Sequence, residues 1–167
     1  LQLFSTEHKN LGSKQAVEVF PVSKSWDEGT GIYSNFPTSS NGCSWVFRND
    51  SDRGTKWLTG SFAAGTTGSI DKRKGIPLGG GEWYSGSGFI GSQSFSNADL
   101  LDLNINVTSI IQKFSASLYA SQTYPNGIPN NGFILKFSDN IEEASSASFG
   151  DLQYFSVDTH TIYPPKL

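Results

Sequence analysis

Short segments in which apolar and polar residues alternate recur along this chain, and clusters of turn-forming residues separate them. A period of two is typical of β-strands with one buried face, because successive side chains point to opposite faces of a sheet. The connection between the first two segments contains Asn10 and Gly12, so we expect these strands to pair as an antiparallel hairpin. Pro164 and Pro165 remove two backbone donors from the last segment, which favours an edge position for it. The predicted strands cover residues 1–5, 16–22, 44–47, 88–95, 100–106, 132–138, 152–157 and 162–167.

A single helix interrupts the strand pattern. Apolar residues recur there with the spacing of one helical face, which predicts a helix over about residues 107–118. Either Asn106 or Thr108 has a side chain suited to cap its N-terminus. The apolar stripe consists of Val107, Ile110, Ile111, Phe114 and Leu118. The chain is therefore predicted to be all-β with one short helix.

The composition narrows the class of protein. With 167 residues the chain is expected to form a single domain over residues 1–167. Charged residues amount to 16% and aromatic residues to 13%, which excludes a disordered tail and a coiled coil. The net charge of −3 argues against a nucleic-acid surface, and the basic cluster Lys72-Arg73-Lys74 is expected to be a solvated loop. No apolar run approaches the ~18 residues that cross a bilayer, so no membrane insertion is expected.

Residues for nucleophilic catalysis are sparse. The two histidines are His8, in the predicted hairpin loop, and His160, which is expected to be a hydrogen-bonding residue rather than a base. No Gly-x-Ser-x-Gly elbow accompanies them. Cys43 lies just before Trp45 in an apolar segment, so we expect a buried, inert thiol. The sequence therefore predicts that the protein is not an enzyme.

Oxygen ligands for a metal ion occur in two acidic turns, Asp27-Glu28 and Asp50-Ser51-Asp52. The glycine and glutamate of a calcium-loop motif are absent, which favours solvated turns. A structural calcium ion held by carbonyl groups stays open, and no other cofactor is expected. Residues 86–91 match Gly-x-Gly-x-x-Gly, but the strand pattern continues where a dinucleotide site needs a helix.

Tryptophan and tyrosine side chains are the remaining candidates for a binding site. Trp26 and Trp45 lie beside apolar segments and are expected in the core. Trp57 lies just before a glycine-rich stretch, residues 59–88, and Trp83 and Tyr84 lie near the end of that stretch. Its composition predicts a long irregular loop. For these three side chains two alternatives stay open: core packing, and exposed contact with a carbohydrate or a protein partner.

The chain contains, in order, the segments 1–5, 17–22, 25–31, 42–45, 102–111, 130–137, 154–156 and 163–167. Taken together, these segments resemble the DNRLRE domains, also called disaggregatase-related repeat domains. The resemblance runs along nearly the whole chain and is sharpest at Ser25-Trp26-Asp27-Glu28-Gly29-Thr30-Gly31. The tryptophan that often follows this run in the family is replaced here by Ile32-Tyr33.

The resemblance implies a jelly-roll-like antiparallel β-sandwich, akin to carbohydrate-binding modules. Residues 156–167 look most like the versions in phage virion proteins, which implies a non-catalytic structural or attachment domain located in a virion. The expected partners are other virion subunits and a host surface glycan. The alternative is a carbohydrate-binding module of a secreted or cell-surface polysaccharide-active protein. Family members usually begin with strands that would precede Leu1, and the chain contains no methionine, so we expect a part of a longer polypeptide whose N-terminal strands are missing.

Overall fold

The fold was obtained as a computed structural model. It describes residues 1–9, 11, 14–30, 41–49, 54–57, 66–71, 76–96, 101–121, 124–138, 150–157 and 161–167. The strands in these ranges are β1 (Gln2–Leu3), β2 (Ser5–Lys9), β3 (Lys14–Pro21), β4 (Phe47–Asn49), β5 (Thr55–Lys56), β6 (Thr66–Asp71), β7 (Ile76–Tyr84), β8 (Gly91–Ser96), β9 (Leu103–Asn104), β10 (Phe133–Phe137) and β11 (Asp151–Tyr154). The helix described is α1 (Thr108–Lys113).

Strand β3 lies at the centre of a three-stranded sheet, with β10 on one side and β8 on the other. It pairs antiparallel with β8, from Lys14 opposite Ser96 to Val19 opposite Gly91. Val17 and Val19 are buried, as the alternation of apolar residues predicts for one face of a strand. The all-β prediction with one short helix is confirmed, while the jelly-roll arrangement stays a prediction.

The other described strands form antiparallel pairs: β1 with β9, β2 with β11, β4 with β5, and β6 with β7. The predicted hairpin between the first two segments is therefore wrong. A strand with a buried apolar face is stabilised most when partners flank it on both edges, and distant segments supply them for β3. Residues 162–167 contain no named strand, and Lys166 instead forms an isolated bridge with Gln2.

The glycine-rich stretch is more regular than its composition predicts. Strands β6 and β7 pair across it, and the register shifts between Thr67 opposite Trp83 and Ser69 opposite Gly79. Gly80 and Gly81 lie within this shift and have positive φ angles of 74° and 106°. Glycine adopts such angles without the steric penalty of a Cβ atom, so the pairing continues on both sides of a local irregularity. The prediction of a long irregular loop over residues 59–88 is therefore wrong for the residues of β6 and β7.

Helix α1 is shorter than the apolar stripe predicts. The side chain of Asn106 accepts a hydrogen bond from the backbone N–H of Thr108 at 3.0 Å, and the helix begins there. The helix ends at Lys113, whose carbonyl accepts the N–H of Ile128 at 2.9 Å. A longer helix would need this carbonyl for its own i to i+4 bond. The apolar residue furthest along the stripe, Leu118, is exposed.

The described residues divide into two compact units. The first consists of Leu1–Val19, Ile90–Ile111 and Leu135–Leu167, and the second of Phe20–Phe89 and Gln112–Ile134. Each unit consists of segments that are separate in the sequence. The prediction of one domain over residues 1–167 stays a prediction. Within the described ranges, no helix is long and apolar enough to span a membrane.

Each unit has buried apolar side chains of its own. In the first unit Leu103 and Ile110 are fully buried, and a Cβ atom on Gly91 would lie only 2.7 Å from Ile105 Cγ2. The second unit contains an aromatic cluster in which Tyr84, Phe89 and Ile128 are buried. The side chains that pack against this cluster are Phe114, Tyr119 and Tyr124.

Candidate binding surface

Two tryptophans in the second unit are exposed to solvent. Trp26 is 43% exposed and Trp45 is 56% exposed. Their prediction as core residues is therefore wrong. Trp26 follows strand β3 and Trp45 precedes strand β4, so both lie on connecting segments, which run over the surface of a protein.

The segments that carry these two tryptophans are neighbours. We call residues 25–30 and 41–48 the tryptophan loops. The N–H of Asp27 donates to the carbonyl of Arg48 at 2.9 Å, and the N–H of Thr30 donates to Asn41 Oδ1 at 3.2 Å. Arg48 Nη1 also donates to the Ser25 carbonyl at 2.8 Å. These bonds connect the two loops, and two of them are made by Arg48, which also belongs to strand β4.

The indole of Trp26 is held at its polar edge. Its Nε1 donates to the carbonyl of Asn131 at 2.8 Å. The side-chain amide of Asn131 lies 3.4 Å from the carbonyl of Val22, the residue that follows strand β3. A tryptophan whose N–H is bonded and whose ring remains accessible can offer its apolar face to a ligand.

The indole of Trp45 lies against the backbone of strand β7. The N–H of Gly80 donates to the Trp45 carbonyl at 2.7 Å. A Cβ atom on Gly80 would lie 2.5 Å from Trp45 Cζ3 and 2.6 Å from Trp45 Cη2. Real Cβ atoms do not approach other atoms so closely, so the position of this ring requires glycine at position 80.

The aromatic residues proposed as contacts from the sequence are buried. Trp57, Trp83 and Tyr84 are 7%, 4% and 5% exposed, which favours the core alternative of the two left open for them. Trp57 lies beneath one tryptophan loop: its Nε1 donates to the carbonyl of Ser44 at 2.9 Å, and its backbone N–H donates to the carbonyl of Val46 at 3.1 Å. Trp57 therefore supports the loop that exposes Trp45.

Trp83 and Tyr84 belong to two adjacent groups of rings. The ring centroids of Trp83 and Phe20 are 5.8 Å apart, and Tyr84 stacks on Phe89 with centroids 5.7 Å apart. Tyr124 meets Tyr84 edge-on at 5.4 Å. Burial raises the pKa of Tyr84, and the nearby Tyr124 and Glu82 raise it further. This phenol is therefore packed as a neutral group.

An ion pair between a buried carboxylate and a partly exposed lysine connects several elements of the second unit. Glu82, of which 1% is exposed, has its Oε2 2.9 Å from Lys24 Nζ. Its Oε1 accepts a hydrogen bond from the hydroxyl of Thr66 at 2.8 Å. Lys24 Nζ also donates to the carbonyl of Trp57 at 3.1 Å. A buried carboxylate thus connects β6 and β7 to the residues that follow β3, a group that sequence reasoning did not single out.

Two of the reactive side chains considered from the sequence lie within the described residues. Cys43 is exposed, so its prediction as a buried thiol is wrong: it lies in a tryptophan loop at the surface and not in a strand. His8 is on strand β2 and not in a hairpin loop. The proposed positions outside the described residues are His160, Lys72-Arg73-Lys74 and Asp50-Ser51-Asp52.

The carboxylate of Asp27, in the first acidic turn, accepts a hydrogen bond from a neighbouring backbone group. Its Oδ1 accepts the backbone N–H of Gly29 at 3.0 Å, as in a turn closed by an aspartate side chain. In the described part of the chain no three His, Cys, Asp or Glu side chains come close enough together to hold a metal ion.

A sequence signal for the exposed pair does exist. Trp26 and Trp45 are each preceded by serine, and Trp26 is followed by two acidic residues, a composition typical of surface turns. The valines and phenylalanines near these tryptophans in the sequence favour a core position instead, and they led to the wrong prediction.

No family model, no curated protein and no solved structure matches this chain.

Proposed function

We propose that this chain is a non-catalytic attachment domain of a phage virion protein, and that it uses the tryptophan loops as its contact surface. The observation that carries the proposal is the exposure of Trp26 and Trp45 on a connected pair of loops. The resemblance of residues 156–167 to phage members of the DNRLRE family supports the virion location. The same resemblance supports a jelly-roll-like sandwich as the arrangement of the observed strands.

The two exposed tryptophan side chains are held rigidly, which favours binding. Tryptophan is enriched among the residues that dominate binding energy, because one ring removes a large apolar area from water. Both tryptophans are already held in place, Trp26 through its indole N–H and Trp45 against Gly80. Less conformational freedom is therefore lost on binding than with mobile side chains.

A carbohydrate-binding module is the second candidate, and the same exposed indoles favour it. An indole presents a flat apolar face with a polar edge, which suits a sugar ring with apolar faces and a hydroxyl rim. The guanidinium of Arg48 is engaged with Ser25, and Asp27 is engaged with Gly29. Because these charged groups are bonded within the loops, we expect neutral sugars to bind in preference to acidic ones.

Competition for host cells tests the attachment proposal. The purified chain should lower the adsorption of the phage that encodes it, and Trp26→Ala and Trp45→Ala should each weaken this competition at least tenfold. Leu118→Ala provides a matched control, because Leu118 is also a large exposed side chain of the second unit. Equal competition by all four proteins would overturn the role of the tryptophans. Absence of the chain from purified particles would overturn the virion location.

Affinity electrophoresis separates the second candidate from the first. Gels that contain mannan, dextran or hydroxyethyl cellulose should retard the wild-type chain and the Leu118→Ala control, and should not retard Trp26→Ala or Trp45→Ala. Retardation by these neutral polysaccharides without any inhibition of phage adsorption would favour a carbohydrate-binding module outside a virion. Equal mobility in every gel would exclude these three sugars as ligands and leave a protein partner as the prediction.

A further inference from the structure

We propose that Gly80 is the positioning residue for the Trp45 ring, so that one glycine in strand β7 determines the geometry of the exposed contact surface. This inference rests on the proposed function and identifies a residue that contacts no ligand itself. A methyl group on Gly80 would lie within 2.6 Å of two carbon atoms of the Trp45 ring, which is closer than any packed side chain allows.

The backbone of Gly80 contributes in two ways. Its positive φ of 74° allows β7 to continue through the shift in register with β6. Its N–H donates to the Trp45 carbonyl at 2.7 Å, which fixes the main chain of the tryptophan loop above the strand. The missing Cβ then leaves room for the six-membered part of the indole, whose Cζ3 and Cη2 lie over it. Main chain and ring of Trp45 are therefore positioned by the same residue.

A second glycine supplies a matched control. Gly86 also has a positive φ, 105°, but a Cβ atom there would meet nothing within 4 Å. Alanine at either position experiences the backbone strain of the left-handed region. Only Gly80→Ala adds a collision with the ring of Trp45. The difference between the two variants therefore isolates the positioning effect from the general cost of replacing glycine.

Iodide quenching of tryptophan fluorescence tests the inference without any ligand. In a Trp26→Phe background the accessible indole is that of Trp45, because Trp57 and Trp83 are buried. Gly80→Ala should change the quenching constant and the emission maximum, and Gly86→Ala should change neither. Equal spectra and equal quenching for the two alanine variants would overturn the inference.

A double-mutant cycle keeps the test decisive if Gly80→Ala alone fails to fold. Trp45→Phe removes the atoms that the new methyl group would meet, so Gly80→Ala should be tolerated better in a Trp45→Phe background than in the wild type. Trp45→Phe should give Gly86→Ala no such relief. Additive losses of stability in both pairs would contradict the positioning role.

Binding measurements separate this inference from the proposed function. In mannan, dextran and hydroxyethyl cellulose gels and in phage competition, Gly80→Ala should bind at least tenfold more weakly than Gly86→Ala. If Trp45→Ala changes neither polysaccharide binding nor phage competition, the proposed function is wrong, regardless of the effect of Gly80→Ala. If Trp45→Ala abolishes binding while Gly80→Ala binds like Gly86→Ala, the function stands and the positioning role is wrong.

Discussion

The carboxylate of Glu82 lies 2.9 Å from the ammonium group of Lys24, and it is almost completely removed from solvent. Lys24 remains partly exposed and also donates to the carbonyl of Trp57. A buried carboxylate is tolerated only when charge and hydrogen bonds replace its lost hydration. Thr66 supplies the hydrogen bond, and Lys24 supplies the charge.

We expect Lys24→Met to lower the free energy of unfolding by about 1–3 kcal/mol, because it leaves the buried charge of Glu82 without its partner. Since Lys24 is partly exposed, the loss should be smaller than for a fully buried ion pair. The double variant Lys24→Met/Glu82→Gln should lose less than the sum of the two single variants. Urea unfolding followed by fluorescence measures both quantities. Lys56→Met, on the exposed strand β5, is the control and should change stability by no more than about 0.5 kcal/mol.

Truncation of tryptophans should divide them into two groups. Trp83→Ala should lower the free energy of unfolding by about 3–5 kcal/mol, because it leaves a cavity beside Phe20 in the core. Trp45→Ala should cost roughly 1 kcal/mol or less, because the ring is largely exposed. Thermal unfolding of the two variants measures the difference. Similar losses from both would contradict the assignment of Trp83 to the core and of Trp45 to the surface.

Tyr154 is expected to make stability depend on pH in the alkaline range. Burial raises its pKa from 10.0 to about 12, and the charge of Asp102 contributes. Its hydroxyl is buried and has no hydrogen-bond partner among the described residues. The folded state holds the phenolic proton more tightly than the unfolded state does, so this contribution is complete below pH 10 and is lost as the pH rises towards 12.

Tyr154→Phe should therefore reduce the alkaline loss of stability by roughly 1–2 kcal/mol, and it should cost little at neutral pH because no hydrogen bond is broken. Urea unfolding between about pH 8 and pH 11.5 measures the slope, and absorbance at 295 nm follows tyrosine ionisation. A variant with the same slope as the wild type would show that this phenol does not carry the effect.

The ammonium group of Lys113 lies 3.8 Å from the ring centroid of Tyr119 and 5.1 Å from that of Phe89. We expect Lys113→Met to lower the free energy of unfolding by about 0.5–1 kcal/mol, because it removes the attraction between the charge and the two rings. Lys113→Met and Tyr119→Leu should be coupled in a double-mutant cycle. Lys56→Met and Tyr119→Leu should be additive, and equal coupling in the two cycles would contradict the interaction.

Local patterns were sufficient for the fold class and for several elements. The alternation around Val17 and Val19 predicted β3 with its buried face, and the segment at 132–138 predicted β10 within one residue at each end. Patterns were not sufficient for strand pairing. The partners of β2 and β3 are β11, β8 and β10, far along the chain, and no local pattern specifies a distant edge.

The sequence by itself determined that this is an all-β chain with one short helix, because the side-chain period of a strand or helix is a local property of the backbone. It also singled out tryptophan as the candidate residue type for the proposed contact surface, because few other side chains offer such a large rigid apolar face. Only the tertiary structure decided which tryptophans are exposed to solvent and which are buried. Trp57 and Trp83 are buried and contact residues distant in sequence, Lys24 and Phe20 respectively. Trp26 and Trp45 lie on loops and remain 43% and 56% exposed. Burial depends on which distant segments pack together, so neighbouring residues in the sequence cannot report it.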